Sequence, residues 1–116
     1  MPTGLDDAVI VLTREGMGEG PAELQQRLLQ TYLQMLLENG IRPGAVCFYT
    51  EGVKLLVEGS AMLQPLRALE AQGVRLIVCR TCLDYWGLTD RVRVGIVGGM
   101  GDIQAAMVKA AKVLTL

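Results

Sequence analysis

Histidine is missing from all 116 residues, and its absence removes several chemistries at once. No Cys-His pair or Ser-His-Asp triad can be assembled, and no metal site can include an imidazole. Aromatic residues are few, with three Tyr, one Trp and one Phe, so the core must be built from Leu, Val, Ile, Ala and Met. Long hydrophobic runs are missing too: 51% of the residues are hydrophobic, yet no apolar run approaches the roughly 20 residues that a membrane-crossing helix needs. Nor is there an excess of one charge. A net charge of −1 argues against binding to nucleic acid by phosphate neutralisation. The opening Met1-Pro2-Thr3-Gly4-Leu5-Asp6-Asp7 is acidic and carries no secretory h-region, which predicts a cytoplasmic protein without membrane partners. Three cysteines, an odd number, do not make the disulfide framework of a small secreted domain.

What is present reads as one α/β domain over residues 1–116, long enough to close a single core. Ala8-Val9-Ile10-Val11-Leu12-Thr13 is a first strand, and the glycine-punctuated loop Arg14 to Gly20 follows it. Pro21 suits the first position of a helix. From Ala22 to Glu38, Leu24, Leu28, Leu29, Tyr32, Leu33, Leu36 and Leu37 recur at three- and four-residue spacing, and Asn39-Gly40 stops the helix. Ala45 to Tyr49 is a second strand, with Cys47 inside it as a small core hydrophobe. A short helical turn is expected over Val53 to Val57, then a helix from Met62 to Gln72 capped by Ser60. Val74 to Val78 is the third strand. Thr81 caps a short helix through Trp86, ended by Gly87. Val92 to Val97 is a fourth strand, Asp102 caps a helix through Ala110, and Lys112 to Thr115 is the last strand. Strands alternating with helices at this spacing predict right-handed βαβ units in a mostly parallel sheet of about five strands with helices on both faces.

Chemistry concentrates at Cys79-Arg80-Thr81-Cys82, where a β-branched run delivers two thiols to the end of a strand, the place where ligands bind in open α/β sheets. Free N–H groups at the following helix start, with Arg80 beside them, would favour thiolate over thiol at Cys79. Arg75, Arg80, Arg91 and Arg93 bracket the pair: residues 71–116 hold six basic and three acidic groups, against five and nine in residues 1–70. Those arginines are either solvated surface or an electropositive rim. A persulfide on one thiol is close enough for the other to resolve it to a disulfide. Arg-Thr between the cysteines does not match a thioredoxin-like motif, zinc lacks a fourth ligand, and two buried, inert thiols are the purely structural alternative. Neither metal nor cofactor is expected. The Gly16-Met17-Gly18-Glu19-Gly20 loop has G-x-G-x-G spacing, and Glu19 would oppose a pyrophosphate. Gly98-Gly99-Met100-Gly101 lacks the Gly-Lys-Ser/Thr of a P-loop. Both read as turns, the first able to wall the thiol site with Met17 and Gly18.

The stretches Met17-Gly18-Glu19-Gly20, Phe48-Tyr49-Thr50-Glu51-Gly52-Val53-Lys54-Leu55, Glu58-Gly59-Ser60 and Cys79-Arg80-Thr81-Cys82-Leu83-Asp84-Tyr85-Trp86-Gly87-Leu88 resemble the DsrE/YchN-like (DsrE/DsrF-like) family, most closely the DsrE-like domain of the sulfurtransferase-like YedF group. The resemblance implies a three-layer, flavodoxin-like α/β fold, a homo-oligomer such as a trimer or hexamer, and a sulfur carrier that takes persulfide from a donor protein and passes it to an acceptor protein. In relay proteins of that family the acceptor cysteine stands eight residues before a Gly-hydrophobic pair. Cys79 stands eight before Gly87-Leu88, so the role falls on Cys79, with Cys82 as an additional thiol. Arg80, Thr81, Met17, Gly18, Glu51 and Gly52 are then the expected substrate-binding residues. Two rival readings stay open: a non-catalytic oligomeric module whose cleft between loops 14–20, 50–52 and 79–82 holds a small anion or a partner tail, and a dithiol redox protein.

Overall fold

The first two aliphatic runs carry no charged side chain, and every one of their side chains is buried, as strands covered on both faces require. They are β1 (Ala8–Leu12) and β2 (Ala45–Phe48) of a five-stranded sheet in the computed structural model, which describes residues 4–116. With β3 (Arg75–Cys79), β4 (Ile96–Gly98) and β5 (Lys112–Thr115), the strands lie in the order β4-β3-β2-β1-β5, and every pairing is parallel. The helices are α1 (Ala22–Glu38), α2 (Leu63–Ala71), α3 (Arg80–Tyr85) and α4 (Met100–Lys109). The chain steps from β1 through β2 and β3 to β4 in one direction, so right-handed crossovers put α1 and α2 on one face, where they pack together. The return from β4 to β5 carries α4 to the other face.

Burial explains why α1 forms here and which way it faces: Leu29, Leu33 and Leu36 turn into the core. The apolar stripe expected from spacing is broader than the buried one, since Leu24 and Leu28 are each 46% exposed. Pro21 sits one position earlier than predicted, as the cap, and its carbonyl accepts the Gln25 N–H at 3.0 Å. A 3₁₀ segment, Thr50–Leu56, fills the helical turn expected after β2.

The largest departure is β4, three residues long instead of six. Val92 leaves the sheet to bridge Val57 in antiparallel fashion, and the Arg93 N–H donates to Leu56 O at 2.8 Å. Gly95, at φ +88°, then turns the chain into the sheet against Leu56, Leu76 and Val78. β3 is displaced too, starting and ending one residue later than predicted. Asp102 does not cap α4 from outside. It lies in the first turn and reaches back, its carboxylate accepting the Gly99 N–H at 2.9 Å.

Candidate functional site

Because β3 runs to Cys79, no turn separates strand from helix. Cys79 pairs with Gly98 in the sheet and is at the same time the residue on which α3 starts. Placing Cys79 at a strand end where ligands bind implies a sulfur that solvent reaches, and this meets a correction: Cys79 is 1% exposed, and the half-buried thiol is Cys82. The extra strand residue is the physical cause, since it draws Cys79 into the sheet. Thr81, expected as the cap, lies inside the helix.

α3 is only six residues long, and its end is fixed by backbone geometry. Gly87, at φ +64°, lets its own N–H reach Asp84 O at 3.1 Å and the Leu88 N–H reach Leu83 O at 2.8 Å, the paired bonds of a Schellman stop. Leu83 is buried and anchors the helix. Cys82 therefore holds a fixed place one turn after Cys79, facing the end of β2.

From that end comes the contact that spacing alone did not reveal. The Thr50 N–H donates to Cys82 Sγ at 3.1 Å. Thr50 is the only non-glycine residue at positive φ (49°) among the described residues, a costly state for a β-branched side chain. Its hydroxyl holds it there, lying 2.7 Å from both Thr13 O and Tyr49 O. The Tyr49 N–H is tied to Leu12 O at 3.2 Å and the Gly52 N–H to Tyr49 O at 3.1 Å. Gly52 has no room for a side chain, because a Cβ would lie 2.7 Å from the Leu12 carbonyl carbon. This bracket ties the end of β1, through β2, to the sulfur of Cys82. The only sequence trace of it was the Thr-Glu-Gly step after β2.

The electrostatics of the pair follow from burial and from each other. Burial raises the Cys82 pKa above its ordinary value, the Thr50 N–H opposes that rise, and a hydrogen bond to the Cys79 side chain together with the charge on Cys79 adds to it. From the sequence, the helix start and Arg80 are expected to favour thiolate at Cys79; at Cys82 burial raises the pKa instead. Cys47, buried mid-strand, is pushed up to about 11 by burial.

The remaining predicted residues divide by position. Arg80 and Thr81 are exposed on the first turn of α3. Glu51 is engaged with Lys54 at 2.6 Å, and Lys54 Nζ lies 4.3 Å above the Trp86 ring, so these three brace the 3₁₀ segment against α3. The Lys54 pKa is raised, chiefly by the hydrogen bond to Glu51. Met17 is half-buried and Gly18 exposed, and their loop bonds to itself and to α1: Arg14 Nη1 donates to Gly18 O at 2.6 Å and the Met17 N–H to Gln25 O at 3.1 Å. A hollow of about 180 Å³ beside it is lined by Glu15, Gln26, Leu55 and Gly59 to Met62, without either cysteine. Among the described residues no helix is long and apolar enough to cross a membrane.

A family model, the DsrE/DsrF-like family, matches residues 19–116. Among solved structures, the ychN protein of E. coli is 24% identical, with 94% of this chain and 97% of that chain covered and a TM-score of 0.70. The protein of unknown function MTH1491 from Methanobacterium thermoautotrophicum is 22% identical, covers the same shares and gives 0.69. The conserved protein of unknown function BT1422 from Bacteroides thetaiotaomicron is 15% identical, with 96% of each chain covered and a TM-score of 0.63. These likenesses establish the fold. No curated protein matches the chain.

Proposed function

We propose, from the premise that the chain belongs to the DsrE/DsrF-like family, that it is a small single-domain sulfur carrier, sulfurtransferase-like, which accepts persulfide sulfur at the strand-end Cys79 with Cys82 as the second thiol of the site. The observation that carries this reading is the arrangement of the two sulfurs. Both are free thiols three residues apart at the step from β3 into α3, one buried and one half-buried. Sulfane sulfur passes between thiols by attack of one sulfur on another, so two adjacent thiols with unequal access are suited to receive and retain it. Arg80 and Thr81 border the approach, and Met17, Gly18, Glu51 and Gly52 shape the ends of β1 and β2 beside it.

Donor and acceptor are proteins in this reading, met in the cytoplasm. Exposed Leu24, Leu28 and Met35 on α1, with Ile96 on the edge strand, support assembly into a homo-oligomer of the trimer or hexamer kind. The test is mass measurement after incubation with glutathione persulfide. The intact protein gains one sulfur atom, Cys47→Ser gains it equally, and the double variant Cys79→Ser/Cys82→Ser gains none. Equal gain by the double variant, or no gain by any form, rejects the reading. If instead a bound anion protects both thiols and no sulfur is ever acquired, the non-catalytic binding module takes its place.

A further inference from the structure

We infer that sulfur enters at Cys82 and is handed inward to Cys79, with Thr50 as the positioning residue whose backbone N–H receives the departing Cys82 sulfur. The inference rests on the carrier reading and goes beyond it by giving the two thiols an order and a third residue a part.

Access sets the order. Cys79 is 1% exposed, enclosed where β3 passes directly into α3 and Gly98 pairs alongside. A donor meets Cys82 first, because Cys82 is the half-buried, surface-reaching sulfur. The steps balance without an oxidant or reductant. The Cys82 thiol attacks the terminal sulfur of a donor persulfide and leaves a donor thiol and Cys82–Sγ–SH. Cys79 then gives up its proton and attacks that terminal sulfur. The bond from the terminal sulfur to Cys82 Sγ breaks, the electron pair stays on Cys82 Sγ, and Cys82 takes up the proton. The products are a Cys79 persulfide and a Cys82 thiol.

The bracket at the end of β2 fits the second step. Thr50 N–H already points at Cys82 Sγ, 3.1 Å away, the atom on which the electron pair lands. A fixed donor aimed where charge develops lowers the cost of that charge. Thr50 pays for this aim with a positive φ, held by its hydroxyl against the Thr13 and Tyr49 carbonyls. Charged groups nearby are otherwise occupied: Glu51 and Lys54 pair with each other and Asp84 accepts the Thr89 hydroxyl at 2.6 Å. Arg80 is exposed on the outer turn. Burial raises the Cys82 pKa, which suits it to end the step as a thiol.

The chain offers a convenient readout, since trypsin cuts after Arg80 and separates Leu76–Arg80, with Cys79, from Thr81–Arg91, with Cys82. A pulse of one equivalent of glutathione persulfide is followed by rapid alkylation, digestion and mass mapping over time. The label appears first on Thr81–Arg91 and then moves to Leu76–Arg80. In Cys79→Ser it stays on Cys82. In Cys82→Ser, Cys79 loads about tenfold more slowly or less, as restricted access dictates. Thr50→Val removes the hydroxyl anchor and slows the inward step about tenfold, the size of one lost hydrogen bond to a charged group. Thr50→Gly keeps the N–H and adopts positive φ freely, so it moves sulfur faster than Thr50→Val. Loading of Cys79 in Cys82→Ser at the wild-type rate overturns the order while leaving the carrier reading intact. Unchanged transfer in Thr50→Val overturns the part given to Thr50. Release of sulfide with a Cys79–Cys82 disulfide overturns the inward step in favour of dithiol redox chemistry. Failure of the wild type to acquire sulfur on either peptide removes both the inference and the reading beneath it.

Discussion

Cys47 and Cys79 lie on adjacent strands and are equally hidden, at 0% and 1% exposure, yet their surroundings give them different capacities. Cys47 sits mid-strand, opposite Val11 on one side and Ile77 on the other, and burial pushes its thiol up to about 11. The Arg75 charge only partly offsets that rise. Cys79 closes its strand, pairs with Gly98, starts a helix and has a second, half-buried thiol one turn further on. On the proposed reading, burial alone does not make a cysteine inert. What separates the two is whether the hidden sulfur has a neighbour that solvent can reach.

The strongest way to break this contrast is to disturb the bracket that places Cys82. Gly52→Ala drives a methyl into the Leu12 carbonyl, an overpacking that costs about 1–3 kcal/mol. Urea unfolding reads the loss, and faster alkylation of Cys82 than in the wild type reports that Thr50 has moved.

A smaller effect sharpens the other side of the comparison. Cys47→Ser puts a hydroxyl into the aliphatic centre and costs about 1–3 kcal/mol if it stays unpaired, whereas Cys82→Ser, at a half-buried edge, costs less than about 1 kcal/mol. The pH dependence of Cys47 has a definite sign. Burial pushes its thiol from the ordinary 9.0 up to about 11, so between those values the unfolded chain has lost a proton that the folded chain retains. This contribution is undiminished below pH 9 and declines from there to about 11. Cys47→Ala removes that part of the decline, seen as the difference between the two unfolding profiles.

The smallest expected change comes from Lys54→Ala. It deletes the ion pair with Glu51 and the cation over Trp86, together worth about 1 kcal/mol at a partly exposed site. Thermal unfolding measures that loss, and sulfur loading is retained because Lys54 touches neither cysteine sulfur through a hydrogen bond.

Much of this architecture could be read from the chain because the deciding signals were local. Leucine spacing and Asn39-Gly40 bound α1 at Ala22 and Glu38, and the Lys112–Thr115 strand also has its predicted limits. Where a distant partner decided, the reading failed. Val92-Arg93-Val94 has strand composition, but the loop after the 3₁₀ segment captures it through Leu56 and Val57. The thiols were legible as a pair at a strand end, whereas their inside and outside were not, since a one-residue difference in where β3 stops decides which sulfur faces solvent. Thr50 left no trace beyond the Thr-Glu-Gly step after β2. Its part depends on a φ of 49° and a hydroxyl bonded across 37 positions to Thr13, neither of which periodicity can encode.

The central claim, that position at the strand end rather than burial makes a thiol here competent for sulfur, is tested most directly by two forms of the protein exposed to glutathione persulfide. One keeps Cys79 and Cys82 with Cys47→Ala; the other keeps Cys47 with Cys79→Ser and Cys82→Ser. The account predicts one sulfur atom gained by the first form and none by the second. Equal gain by both, or gain by the Cys47 form alone, contradicts it.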